Sequence, residues 1–171
     1  KGSIIFGLYQ ARNAIIKEDK VFWTEGQFDV LSWVKSGIEN TVGGSGTAMT
    51  TNHLKQLTRF TRNITLVFDG DKAGQAAAIK SIENLLPEGA NVRCIPLPDG
   101  EDPDSFARKL SPDKLKQYIK NSEVDFLSFL VDIYKETLAD PIKSEETLSK
   151  LLKLLAHVEK ATLRETYLKT L

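Results

Sequence analysis

The chain has 171 residues, 41% hydrophobic and 27% charged, with 23 Lys+Arg against 23 Asp+Glu, a composition that suits a folded globular domain and excludes a disordered or fibrous chain. The balanced charge excludes a strongly basic surface, so any polyanion must be held locally or by another module. No apolar run approaches the ~18 residues that span a bilayer, and the start Lys1-Gly2-Ser3-Ile4 has no signal-peptide pattern. With the lone Cys94 unable to form an internal disulfide, this predicts a cytoplasmic protein with a buried, structural thiol.

In chain order, residues 4–16 have the spacing of a leading helix packed on the core. Four short apolar runs follow, at 21–24, 40–43, 64–68 and 92–97, and the first, third and fourth are rich in β-branched or aromatic residues. Runs of this length suit strands buried on both faces. Between them, residues 28–35, 50–60 and 73–85 read as crossover helices, each ending near Gly, Asn or Pro. The alternation predicts an α/β fold with a mainly parallel sheet flanked by helices and right-handed connections. After Asp104, Leu115, Tyr118 and Ile119, then Phe126, Phe129, Leu130 and Ile133, then Leu148, Leu151, Leu152, Leu154 and Leu155 recur at helical spacing. An all-helical C-terminal subdomain is expected there, broken at Asp140-Pro141 because the residue before proline is pushed out of the helical region. The expected division is a leading helix at 1–18, an α/β catalytic unit at 19–110 and a helical subdomain at 111–171.

Three acidic clusters stand directly after predicted strands: Glu25 with Asp29, Asp69-Gly70-Asp71, and Asp99-Gly100-Glu101-Asp102-Pro103-Asp104. Loops at the carboxyl ends of parallel strands line the ligand crevice, so the clusters are expected to converge. Converged carboxylates repel one another unless some are protonated or a cation joins them. Magnesium suits such oxygen donors, since it binds through one or two carboxylates together with water and substrate phosphates. Each cluster alone has a plain reading: Asp69-Gly70-Asp71 as a turn or helix cap, and the third as a solvated loop before a helix capped by Asp104 or Ser105. The stretch Gly43-Gly44-Ser45-Gly46-Thr47 either lies beside phosphates or is a glycine turn. His53 and His157 are isolated and read as solvated side chains rather than ligands.

A Glu after one strand and an Asp-x-Asp after a later one, here Glu25 and Asp69-Gly70-Asp71, resemble the TOPRIM domain of primases, topoisomerases and some nucleases. Several further stretches are similar, in the same order, to bacterial DnaG-type DNA primases: Phe6-Gly7-Leu8-Tyr9, Glu25-Gly26-Gln27-Phe28-Asp29-Val30, Gly46-Thr47-Ala48, Phe68-Asp69-Gly70-Asp71-Lys72-Ala73-Gly74 and Leu97-Pro98-Asp99-Gly100-Glu101-Asp102-Pro103-Asp104. The last is the most discriminating. Gln27-Phe28 departs from the residues common after Glu-Gly in the family and leaves the acidic positions untouched. Arg164 and Tyr167 resemble a pair near the end of the primase core.

The resemblance implies a TOPRIM-like fold and metal-dependent synthesis of RNA primers from NTPs on a single-stranded DNA template. It implies catalytic roles for Glu25, Asp29, Asp69 and Asp71, with Glu25 as acid–base group. Asp29, Asp69 and Asp71 are the implied ligands of Mg2+, for which Mn2+ can substitute, and Asp102 and Asp104 are further ligands or neighbours of ligands. Gly46, Thr47 and Lys72 are candidate phosphate or nucleic-acid contacts, and Lys80, Arg59, Arg62, Arg93, Arg108 and Lys109 are candidates for a local positive rim. A zinc module, a basic subdomain and a helicase-binding domain of such primases are expected outside this chain, and no Cys/His cluster here holds zinc. Weak or no priming by this piece alone is expected. A TOPRIM-type nuclease and a non-catalytic DNA-binding module are the alternatives. A topoisomerase would need a nucleophilic tyrosine, and Tyr9, Tyr118, Tyr134 and Tyr167 all fall in predicted helices.

Overall fold

The computed structural model describes residues 3–44, 46, 48–169 and 171. Helix α1 (Leu8–Glu18) leads into β1 (Val21–Thr24), α2 (Gln27–Lys35), β2 (Thr41–Gly43), α3 (Thr51–Leu57), β3 (Asn63–Val67), α4 (Lys72–Leu85) and β4 (Asn91–Ile95). The predicted strands and crossover helices are all present, with ends shifted by a few residues. The first strand is Val-Phe-Trp-Thr, all four buried, as expected where helices cover both faces of a parallel sheet. Next come α5 (Pro103–Lys109), α6 (Pro112–Ser122), β5 (Val124–Asp125), α7 (Phe126–Ile133), α8 (Lys135–Leu138), α9 (Ser144–Leu155) and α10 (Ala161–Leu168). The expected break at Asp140-Pro141 separates α8 from α9.

The sheet order is β2-β1-β3-β4-β5. The first three pairings are parallel, and β5 runs antiparallel to β4 through Arg93↔Asp125 and Cys94↔Val124. β5 is an unanticipated element, only two residues long, within the helical C-terminal part. Glu123, just before it, accepts hydrogen bonds from Lys20 Nζ at 2.9 Å and Thr65 Oγ1 at 2.7 Å and pairs with Arg93 Nε at 3.4 Å. These bonds stitch β5 to the sheet.

Alternation along the strands divides the interior into two cores. Trp23, Leu66 and Cys94 point into one, with Ile15, Leu54, Ile82 and Leu127. Phe22, Val67 and Ile95 point into the other, with Trp33, Phe106 and Leu115. Cys94 is buried, as expected, and burial pushes its thiol pKa far up. His53, read from sequence as solvated, is instead fully buried: it stacks on Trp23 at 4.8 Å between ring centroids, and its Nδ1 accepts from Thr50 N–H at 3.2 Å. His157 is exposed.

Candidate metal centre

Because β1, β3 and β4 are parallel, their carboxyl ends share one edge of the sheet, and the loops leaving them bring the acidic clusters together. Glu25 leaves β1 and Asp29 sits in the first turn of α2, where its Oδ2 accepts from Gly26 N–H at 2.8 Å. This bond is the return half of a capping box and fixes the carboxylate over the turn. Asp69 and Asp71 follow β3; Asp71 caps α4, its Oδ1 accepting from Gly74 N–H at 2.8 Å.

The third cluster is clamped onto the second. Gly70 N–H donates to Glu101 O at 2.8 Å, and a methyl group at Gly70 would meet Pro98 O at 2.1 Å. At Gly74 a methyl group would meet Asp69 O at 2.3 Å. Both positions demand glycine because backbone approaches backbone there. Asp102, not Asp104 or Ser105, is the N-cap of α5: its Oδ1 accepts from Ser105 N–H at 2.8 Å. Pro103 occupies the first helical position, where its missing N–H costs nothing, so the cap falls one residue before it. Asp104 accepts from Ser32 Oγ and Arg108.

Burial and mutual repulsion set the protonation of the cluster. Burial, then the charges of Asp69, Asp29 and Asp71, push the Glu25 carboxyl up from 4.5 to about 7. Its Oε1 is buried without a hydrogen-bond partner. Burial, then Asp69 and Asp102, push Asp29 up from 3.8 to about 6, against the lowering pull of Gly26 N–H. Asp69 is raised by burial and by Asp102 and Asp71. Asp102 is lowered, chiefly by its bond from Ser105 N–H.

The donor set suits a hard divalent cation. Its atoms are all carboxylate oxygens, and one of them is a buried oxygen with no donor. Among the described residues, no three His, Cys, Asp or Glu side chains stand ready to hold a metal ion by themselves.

The surroundings of the other sequence-predicted residues are uneven. Gly46 N–H donates to Glu25 O at 3.0 Å, which ties the loop after β2 to the Glu25 turn; Thr47 lies outside the described residues. Lys72 opens α4 beside Asp71 and is exposed. The expected positive rim is largely committed to acids: Arg108 to Asp104, Lys109 to Glu101 at 2.6 Å, Lys80 to Glu83 at 3.7 Å and Arg93 to Glu123. Arg62 bonds the carbonyls of Glu88 and Gly89 before β4, at the other edge of the sheet. Arg164 donates to Val158 O at 2.9 Å, and Tyr167 packs edge-on against Phe126. Ser32 and Trp33, which tie α2 to α5, were not singled out in the sequence. The available signal was their spacing of three and four residues from Asp29, which puts them on its face of the helix.

Residues 22–107, half of the chain, match the family described as Toprim-like. A DNA primase of Staphylococcus aureus (strain COL) is 37% identical over 157 residues, 92% of this chain and 26% of the relative. The primase of Aquifex aeolicus, solved with its zinc-binding and RNA polymerase domains, superposes with a TM-score of 0.80 at 33% identity, covering 98% of this chain and 40% of that one. A DnaG primase catalytic domain bound to single-stranded DNA gives a TM-score of 0.84 at 29% identity, covering 99% of this chain and 56% of that one. The chain thus spans about a quarter of the curated relative and about half of that catalytic domain. With the sheet order, the acidic edge and these likenesses in agreement, the chain belongs to the Toprim-like family and, within it, to the DnaG-type DNA primases, whose catalytic core it matches in fold.

Proposed function

We propose that this chain supplies the metal-dependent nucleotidyl-transfer centre of a primase, which joins ribonucleotides into short RNA primers on single-stranded DNA in the cytoplasm. The observation that carries the reading is the convergence of Asp29, Asp69 and Asp71 on Glu25, whose pKa each of them raises and whose buried Oε1 has no donor of its own. A cluster of acids held against its own repulsion is a site that awaits positive charge. Residues 19–110 form the catalytic unit, 1–18 the leading segment whose α1 packs on it and 111–171 a helical subdomain. Single-stranded template, NTPs, the nascent primer and, through a domain outside this chain, a replicative helicase are the partners.

In primer extension a 3′-hydroxyl attacks the α-phosphate of an incoming ribonucleoside triphosphate and pyrophosphate leaves. Such transfers need positioning and charge neutralisation more than covalent help from the protein. Asp29, Asp69 and Asp71 would hold Mg2+, or Mn2+ in its place, with water and substrate phosphate completing its coordination, and Asp102 and Asp104 shape the neighbouring loop. When bound, the metal stabilises charge on the reacting phosphate and lowers the pKa of the attacking hydroxyl. Glu25, with a pKa near neutrality, accepts the proton released by the hydroxyl. Lys72 and the backbone at Gly46 face the triphosphate.

The test is a calorimetric Mn2+ titration of this chain beside a folded Asp69→Asn/Asp71→Asn variant. Saturable binding that the variant loses is expected. Binding retained by the variant would remove the metal from the strand ends and refute the assignment. Incubation with labelled DNA and Mg2+ separates the nuclease alternative, which would cut the DNA.

A further inference from the structure

We infer that Trp33 is a positioning residue of the acidic site: its indole N–H locks α5 to α2 and so fixes Asp102 and Asp104 against Asp29. The inference deepens the metal-centre reading and rests on it for its functional consequence, though the lock can be tested separately.

Asp29 and Trp33 are four residues apart on α2 and both face inward. The Trp33 indole is fully buried, and its Nε1–H donates to Pro103 O at 3.0 Å. Pro103 lies between Asp102 and Asp104 and opens α5. Beside it, Ser32 Oγ donates to Asp104 Oδ1. One turn of α2 therefore grips the first turn of α5 at a carbonyl and a carboxylate.

The grip is anchored in the core beneath the sheet. Phe22, whose ring centroid lies 5.6 Å from that of Trp33, holds the indole against β1. The position of α5 is thus referred to the strand from which Glu25 emerges. Trp33 acts through the Pro103 carbonyl.

Trp33→Phe retains the ring in the core and deletes the N–H. Hydrogen exchange and calorimetry on the whole chain test the inference. Exchange at Ser105 N–H, which donates to the capping Asp102, and at Gly26 N–H, which holds Asp29, is expected to rise about ten-fold. Gly74 N–H, bonded to Asp71 on the far side of the site, should keep its rate. Affinity for Mn2+ should fall about ten-fold, as when a group that orients ligands is removed. Unchanged exchange at Ser105 and Gly26, an equal rise at Gly74, or unchanged Mn2+ affinity would each overturn the inference, the second by showing general destabilisation alone. If the unsubstituted chain binds no Mn2+, the metal-centre reading falls and the exchange pattern alone judges the lock. Ser32→Ala, which frees Asp104 and leaves the indole in place, serves if Trp33→Phe fails to fold; the same three amides should then respond in the same order.

Discussion

Glu25→Gln should make the metal-free chain more stable at neutral pH. Glu25 has its carboxyl raised from 4.5 to about 7 by burial and by Asp69, Asp29 and Asp71. Below about pH 4.5 this carboxyl is protonated in both folded and unfolded chains, and it imposes no penalty. Between pH 4.5 and 7 the unfolded chain ionises first, so the folded state loses stability as pH rises; above about 7 the loss is complete and constant. A displacement of that size corresponds to about 3 kcal/mol. The side chain is only half-buried and water screens it, so a cost of about 1–2 kcal/mol is the realistic figure. Glutamine keeps the shape and removes the charge. Urea unfolding without divalent cation should therefore show the variant about 1–2 kcal/mol more stable than the parent at pH 7.5, the difference vanishing at pH 4.5. Millimolar Mg2+ should stabilise the parent by mass action and narrow the gap. A variant no more stable than the parent at pH 7.5, or an advantage equal at both pH values, would refute the claim that charge repulsion is stored at this edge of the sheet.

Two further perturbations test the frame around the site. Gly70→Ala forces a methyl group to within 2.1 Å of Pro98 O, so the loops carrying Asp69 and Glu101 must part; a stability loss of about 3 kcal/mol by urea unfolding is expected, together with weakened Mn2+ binding. Glu123→Ala removes the acceptor shared by Lys20, Arg93 and Thr65 and should cost about 1–3 kcal/mol at pH 7. The sign of its pH dependence is opposite to that of Glu25. Burial raises the Glu123 pKa, but Thr65, Lys20 and Arg93 together outweigh it and lower the value, so its stabilisation is present above the ordinary carboxylate range and fades as the solution is acidified, and the difference between parent and variant should shrink on going from pH 7 to pH 3.

The parts of this fold that were legible in the sequence are those where one physical demand dominates. A strand buried on both faces needs a continuous apolar run, and Val21-Phe22-Trp23-Thr24 and Ile64 to Phe68 leave little alternative. Acids directly after such strands must meet when the strands are parallel, so the meeting of Glu25, Asp29, Asp69 and Asp71 could be anticipated from spacing, and the electrostatic coupling among them follows from it. What escaped notice depends on partners distant in the chain. β5 is two residues long, too short for any periodicity, and it pairs because Glu123 finds Lys20, Thr65 and Arg93 on the existing sheet. His53 carries no mark of burial in its neighbours; Trp23 covers it, and the only local hint was the Thr50-x-x-His53 spacing of a helix start. The cap of α5 was legible in principle, because proline at the first helical position assigns the cap to the residue before it, Asp102. The tie between Trp33 and Pro103 joins residues 70 positions apart, and no local pattern announces it. The acidic groups are thus legible from short-range order, whereas the distances among them are set by long-range contacts to groups that carry no charge: the carbonyl of Pro98 beside Gly70 and the carbonyl of Pro103 under Trp33. Substitutions at those uncharged contacts should alter cation affinity without changing the charge of the site, which separates the geometry of the centre from its composition.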